Sequence, residues 1–254
     1  MAQMKARLIQ SDKLSSLGEM AAGMAHEMNQ PLGGIALVAT CFRKFLEKKV
    51  LTEDKLSDGI RDIETNIKRM SQTIDHLRIY ARQEKLEFRQ VNVAATIDAA
   101  LILMGAQLKA HGISLEMAVA PGLPVIKGEP HQLEQVWINF ISNARDSMDE
   151  KGKQIKSRAS GISEYEKELH ISVAHDKGAN MVIVSFADNG MGLSDVNAGK
   201  VFEPFFTTKG AGKGTGLGLS ISHDIITIHQ GKIEIEGQEG VGAMLRVSLP
   251  VASV

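Results

Sequence analysis

The sequence predicts an α+β protein in which an antiparallel helical hairpin precedes an α/β sandwich. Two observations carry this. Over the first third, apolar residues recur at alternating spacings of three and four, the pattern of a helix seam. From about Val91 the period shortens to strand-like alternation broken by single helices. The change of regime predicts domains at 1–88 and 89–254.

The first helix carries Leu14, Leu17, Ala21, Met24, Met28, Pro31, Ile35, Val38, Phe42 and Phe45 on one seam. The second repeats the spacing with Leu56, Ile60, Ile63, Ile67, Met70, Ile74, Leu77 and Ala81. Between them, Thr52 suits an N-cap, with Glu53 and Asp54 in the first turn, where acidic groups meet the positive helix end. One hairpin cannot bury both seams, so the sequence predicts a homodimer built as a four-helix bundle. Pro31 removes an amide and crowds the carbonyl of Glu27, which predicts a bend one turn after His26.

Beyond that point, strands are expected at Val91–Val93, Ile113–Val119, Leu123–Ile126, Leu169–Ala174, Met181–Ala187, Lys232–Glu236 and Ala243–Leu249. Helices are expected over Ala94–Ala110, Pro130–Met148 and Leu217–His229, with Pro130 in a first turn. Such a chain folds as one mixed sheet covered on one face by helices. The polar stretch Lys151–Glu168 reads as a loose, partly helical insertion.

The composition excludes several classes of function. Of 254 residues, 29 are Lys or Arg and 30 are Asp or Glu, a net charge of −1, which argues against a nucleic-acid binder. Aromatics at 4% leave little for base-stacking platforms. The single cysteine, Cys41, forms no internal disulfide and fits a reducing compartment. No run of about 18 apolar residues is visible, and the N-terminus lacks a signal-peptide core. The sequence therefore predicts a cytoplasmic segment without membrane contact; any membrane-anchored part of a longer protein would lie outside it.

Four groups of residues carry chemistry. His26 falls at heptad position f, opposite the seam, where it faces solvent; an unperturbed imidazole, with a pKa near 6.5, is about three-quarters neutral at pH 7 and nucleophilic. Glu27 beside it is placed to take the ring proton. The helix from Pro130 buries Leu133, Trp137, Phe140, Ile141, Ala144 and Met148, leaving Gln132, Gln135, Asn139, Asn143 and Asp146 on a polar stripe. Amide oxygens there suit Mg²⁺, although a solvated face has the same pattern. Asp188, followed by Gly190 and Gly192, ends a strand; its carboxylate can accept from the exocyclic amine of adenine, and a plain tight turn is the other reading. Finally, Gly210 to Ser220 is glycine-rich, with Gly214, Gly216 and Gly218 leading into a helix N-terminus that suits phosphates. It is neither a Walker loop nor a dinucleotide fingerprint. Phe202 to Lys209 precedes it, offering an apolar anchor and, in Lys209, a cation for a γ-phosphate.

In order, the histidine with its acid, Asn139-x-x-x-Asn143, Asp188-x-Gly190-x-Gly192, Phe202-x-Pro204-Phe205 and Gly214-x-Gly216-x-Gly218 resemble the H, N, F and paired G boxes of sensor histidine kinases. The resemblance runs from about Ser11 to Val251. His26-Glu27-Met28-Asn29-Gln30-Pro31-Leu32 is similar to the group that includes nitrogen-regulation and oxygen-sensing kinases. It implies a dimerisation and phosphotransfer hairpin followed by a Bergerat (GHKL) ATP-binding domain using ATP and Mg²⁺. It further implies that His26 is the phosphoacceptor and Glu27 the assisting acid. Asn143, with Asn139, would hold Mg²⁺ and phosphates, and Asp188 would read adenine in a pocket shaped by Gly190 and Gly192. Gly214, Gly216 and Gly218 would cradle phosphates. The implied partners are a second copy, a response regulator receiver domain and an upstream sensory domain outside this chain. Gln30 departs from the pattern, since relatives often carry Thr or Asn there, and this implies a weak regulator phosphatase. Two other readings are a catalytically silent dimeric nucleotide-binding scaffold and another GHKL ATPase. An exposed His26 argues against the second of these, and intact N and G boxes against the first.

Overall fold

The computed structural model describes residues 28–81, 87–158, 165–194, 197, 199–209 and 216–252. The chain divides into two compact units, Met1–Glu84 with Thr207–Thr215, and Lys85–Phe206 with Gly216–Val254.

In the first unit, helix α1 covers 28–47 and helix α2 covers Glu53–Ala81. The connection follows the sequence expectation: Thr52 Oγ1 accepts from the Lys55 amide at 3.4 Å, and Glu53 and Asp54 occupy the first turn. Phe42 of α1 fills the space beside Gly59 of α2, and Gly34 faces Asn66. Positions rising on one helix meet positions falling on the other, so the pair is antiparallel. Pro31, where a bend is expected, lies within α1, but the turn before Met28 against which a bend would be read, and the seam before Met28, lie outside the described residues.

The second unit runs β1 (Arg89–Val91), α3 (Val93–Ala110), β2 (Ile113–Val119), β3 (Ile126–Gly128), α4 (Pro130–Arg158), β4 (Lys167–Asp176) and β5 (Met181–Asp188). It ends with α5 (Gly218–Ile228), β6 (Lys232–Gln238) and β7 (Gly242–Pro250). Five strands form one sheet in the order β2-β4-β5-β7-β6, with β2 and β4 parallel and every other pair antiparallel. β1 and β3 form a separate antiparallel pair.

Alternation along the strands explains why only one face is covered. Leu169, Ile171 and Val173 of β4, Val182, Val184 and Phe186 of β5, and Leu245, Val247 and Leu249 of β7 are buried beneath the helices. α4 lies centrally, burying Leu133, Val136, Trp137, Phe140, Ile141, Ala144 and Met148. Trp137 stacks on Phe186 at 5.6 Å, and Phe140 meets both rings edge-on. α3 is long and apolar enough to cross a membrane by length and composition, although Thr96, Asp98, Gln107 and Lys109 interrupt it. Its Val93, Ile97, Ala100, Met104 and Leu108 are buried within this domain.

Strand and helix ends shift by a residue or two in several places, and three differences from the sequence expectation are larger or have a distinct cause. Asn92 is not in a strand; its side chain accepts from the Ala94 amide at 3.0 Å and caps α3. The expected strand Leu123–Ile126 lies further on, at Ile126–Gly128, where it pairs with β1. α4 continues to Arg158 rather than stopping at Met148. Glu, Lys and Gln favour helix there without an apolar period to announce it, and tertiary bonds hold the extension.

Candidate functional site

β5 ends at Asp188, between Leu169 of β4 and Ala243 of β7. The chain turns at once, so that Asp188 Oδ1 accepts from the Gly190 amide at 2.8 Å. The Ser147 hydroxyl of α4 also hydrogen-bonds this carboxyl, while its oxygen accepts from the Met191 amide at 2.9 Å. Burial pushes the Asp188 pKa up to about 6, opposed by the Gly190 amide, the Ser147 hydroxyl and the Lys151 charge. A buried carboxyl at a strand end, held by the Gly190 amide and the Ser147 hydroxyl, is a candidate site residue rather than a solvated surface group.

The glycines beside it are required by space. A Cβ on Gly190 would strike the Ser147 hydroxyl and lie 2.7 Å from Asp188 Oδ1. Gly192 has φ of +69°, and a Cβ there would strike the Gln238 carbonyl oxygen. The opposite wall is a stripe along α4 with one residue per turn: Asn139, Asn143, Ser147 and Lys151. Asn139 Nδ2 donates to the Gly218 carbonyl at 3.1 Å and to Ser222 Oγ at 3.3 Å, which brings the glycine-rich segment's end to the amide end of the stripe. The Asn143 amide makes no hydrogen bond among the described residues. At the other end, Lys151 Nζ donates to the Asn189 carbonyl at 2.6 Å and the Val241 carbonyl at 3.1 Å, and it lies 5.1 Å from the Tyr165 ring centroid.

Asn139, Asp188, Gly190, Gly192 and Gly218 are thus gathered around α4 and the β5 end, with Asn143 on the same stripe. Gly216 has φ of +66° and packs on the Phe205 backbone, which is itself left-handed. Lys209 falls in the segment that groups with the helical unit, and its amide donates to Thr207 Oγ1 at 3.1 Å. Gln30 is exposed on α1. His26, Glu27 and Gly214 lie outside the described residues. Ser147, Lys151 and Ser222 were not singled out from sequence. Extending the Asn139–Asn143 spacing by two turns finds the first pair, but a mid-helix Ser and a Lys look like an ordinary solvated face.

The arrangement offers amide oxygens at one end and a carboxylate at the other. That set suits a ligand with an amine-bearing flat base and a polyanionic tail carrying a hard cation.

Residues 128–253 match the family described as histidine kinase-, DNA gyrase B-, and HSP90-like ATPase. Residues 16–86 match the His Kinase A (phospho-acceptor) domain. The chain is similar to the two-component sensor PprA of Pseudomonas aeruginosa, 34% identical over 247 residues, covering 97% of this chain and 26% of that protein. It is also similar to sporulation kinase E of Bacillus subtilis, 30% identical over 251 residues, covering 98% of this chain and 30% of that protein. It therefore spans between a quarter and a third of the length of these relatives. The fold is shared with histidine kinase ThkA in complex with response regulator protein TrrA, at a TM-score of 0.72 and 23% identity, over 95% of this chain and 64% of that one. The ThkA catalytic domain alone matches 65% of this chain and 96% of its own length, at a TM-score of 0.53 and 26% identity. With a phosphoacceptor domain followed by an ATPase domain along a single chain, this protein belongs to the sensor histidine kinases, of which it forms the catalytic core.

Proposed function

We propose that this chain phosphorylates itself on His26 from Mg²⁺-ATP and passes the phosphoryl group to an aspartate in the receiver domain of a response regulator. The observation that carries this reading is the α4 stripe, with Asn139 bonded to Gly218 at one end, Asn143 one turn further on, and the Asp188 carboxyl held by Ser147 beyond it. Asp188 accepts a hydrogen bond from the adenine amine, and the backbone of Gly190 and Gly192 gives the ring close access. The Asn139 and Asn143 amide oxygens hold Mg²⁺. They fit it, because Asn139 spends its donors on Gly218 and Ser222, and the Asn143 amide has no hydrogen-bond partner among the described residues. Bound Mg²⁺ neutralises phosphate charge. Lys209, Gly214, Gly216 and Gly218 hold the phosphates.

The neutral His26 imidazole attacks the γ-phosphorus. An N–P bond forms, the O–P bond to ADP breaks, and Glu27 takes the ring proton. Residues 1–88 act as the dimerisation and phosphotransfer domain and 89–254 as the ATP-binding domain. The homodimer reading is supported by Leu56, Ile60 and Ile67, which leave 40%, 46% and 51% of their surfaces exposed in a single chain. The signal arrives from a sensory domain outside this chain, and the core works in the cytoplasm.

The test is incubation with γ-labelled ATP and Mg²⁺, followed by mapping of the label. The expected product is a phosphoramidate on His26, labile in acid and stable in base, and absent from His26→Ala. Acid-stable label, or label retained in that variant, overturns the reading.

Gln30 sits one turn beyond His26 in sequence and is exposed. Its amide can orient a water toward a regulator's phosphoaspartate, although its extra methylene gives it more freedom to lose than Asn has. Gln30→Ala is expected to slow dephosphorylation of a phosphorylated cognate regulator by about tenfold, the worth of one hydrogen bond, and to leave autophosphorylation intact. An unchanged dephosphorylation rate removes Gln30 from that role.

A further inference from the structure

Ser147 and Lys151 lie one turn apart on α4, and both reach out to the loop that follows β5 rather than into solvent. Ser147 holds the Met191 amide at 2.9 Å and the Asp188 carboxyl. A serine inside a helix commonly bonds back to its own backbone; this one is spent on the loop. Lys151 holds the Asn189 carbonyl, and through Val241 it ties that loop to the β6–β7 hairpin. The hairpin closes the clamp from its own side, where the Gly240 amide donates to the Met191 carbonyl at 2.7 Å. The loop from Asp188 to Met191 is therefore gripped at three of its four residues, Asp188, Asn189 and Met191, by groups with no reason to converge there on packing grounds alone.

We propose that Ser147 and Lys151 are positioning residues for base selection, which fix Asp188 as a charged, correctly aimed acceptor and so favour adenine over guanine nucleotides. This rests on the reading of Asp188 as the residue that meets the base. An ionised carboxylate accepts from the C6 amine of adenine and repels the C6 carbonyl of guanine; a protonated carboxyl donates to that carbonyl instead. Charge state and aim thus decide which purine fits. Among the described residues, Lys151 on α4 and Tyr165 before β4 are the titratable side chains that interact with Asp188, and Asp149, also on α4, acts on the same Tyr165. The neighbouring sheet positions, Leu169 and Ala243, carry no charge. Lys151 is therefore the cation that favours the ionised form.

The experiment measures ATP and GTP binding to the full chain by calorimetry between pH 5 and 8, with thermal melts alongside. Ser147→Ala is expected to weaken ATP binding by about tenfold and to lower the ATP-to-GTP affinity ratio, with little change in melting. Lys151→Met is expected to move the acid limb of ATP binding up by about one pH unit. Lys151→Arg is expected to restore that limb, and a cavity of about 150 Å³ lined by Lys151, Gln154, Ile155, Met191 and Gly240 leaves room for the guanidinium. An unchanged ratio in Ser147→Ala together with an unmoved acid limb in Lys151→Met overturns the proposal, even if wild type prefers ATP. A merely structural role would lower melting and affinity for both nucleotides equally, which also overturns it. Absence of any ATP preference in wild type overturns the reading of Asp188 itself.

Discussion

Asp188→Asn is expected to lower ATP affinity by about 10- to 100-fold at pH 7 while raising the stability of the nucleotide-free protein. The first effect follows from replacing a charged acceptor, whose hydrogen bond is worth about 1.5–3 kcal/mol, with a neutral amide. The second has the opposite sign because burial works against the ionised carboxylate, lifting its pKa from 3.8 to about 6. Between those pH values the unfolded chain has released its proton and the folded chain has not. The stabilising contribution of Asp188 is therefore fully present below about 4 and is lost as pH rises through about 6. Wild-type melting minus Asp188→Asn melting should fall across that window and then level off. ATP binding runs the other way, weakening in wild type as pH drops below about 6, because the ionised carboxylate is the stronger acceptor for the base amine. Calorimetry with ATP and thermal melts from pH 4 to 8 check both halves. Wild-type ATP affinity in the variant, or a lower melting temperature at pH 7, would sink the assignment.

Trp137→Ala is expected to destabilise the ATP-binding domain by about 3–5 kcal/mol, a large share of the 5–15 kcal/mol that holds a typical domain together. Trp137 is fully buried, stacks on Phe186 and meets Phe140 edge-on, joining α4 to the sheet. Its indole Nε1 donates to Thr96 Oγ1 at 2.8 Å, and Thr96 in turn donates to the Val93 carbonyl at 2.7 Å, so α3 is tied into the same cluster. Removing the ring opens a cavity at the junction of three elements and deprives a buried hydroxyl of its donor. Trp137→Phe keeps most of the volume and should cost about 1–2 kcal/mol, mainly through that lost bond. Trp137 is the only tryptophan, so its fluorescence follows wild-type unfolding, whereas circular dichroism in denaturant compares the variants. A cost below 1 kcal/mol for the alanine variant would mean that this cluster does not hold the layers together.

What was legible in the sequence was whatever repeats. The helix of Leu133, Trp137, Phe140, Ile141, Ala144 and Met148 could be written down because burial on one side of a helix imposes its own period, and all six are buried. The strands under it were legible for the same reason, as was the turn at Asp176, whose Oδ1 accepts from the Gly178 and Ala179 amides. The ordered glycines and amides made Asn139, Asp188, Gly190, Gly192 and Gly218 candidates, and the fold gathers them around α4 and the end of β5. The tertiary structure alone decided where α4 ends and what its last turns do. Lys151 and Ser147 continue the four-residue spacing of Asn139 and Asn143 but look there like an ordinary solvated face; they matter because folding brings them against Asn189, Met191 and Asp188, about 40 residues away along the chain. Likewise, the raised pKa of Asp188 is a property of the layers that bury it, and no spacing of residues along a chain encodes how much water a carboxylate will lose.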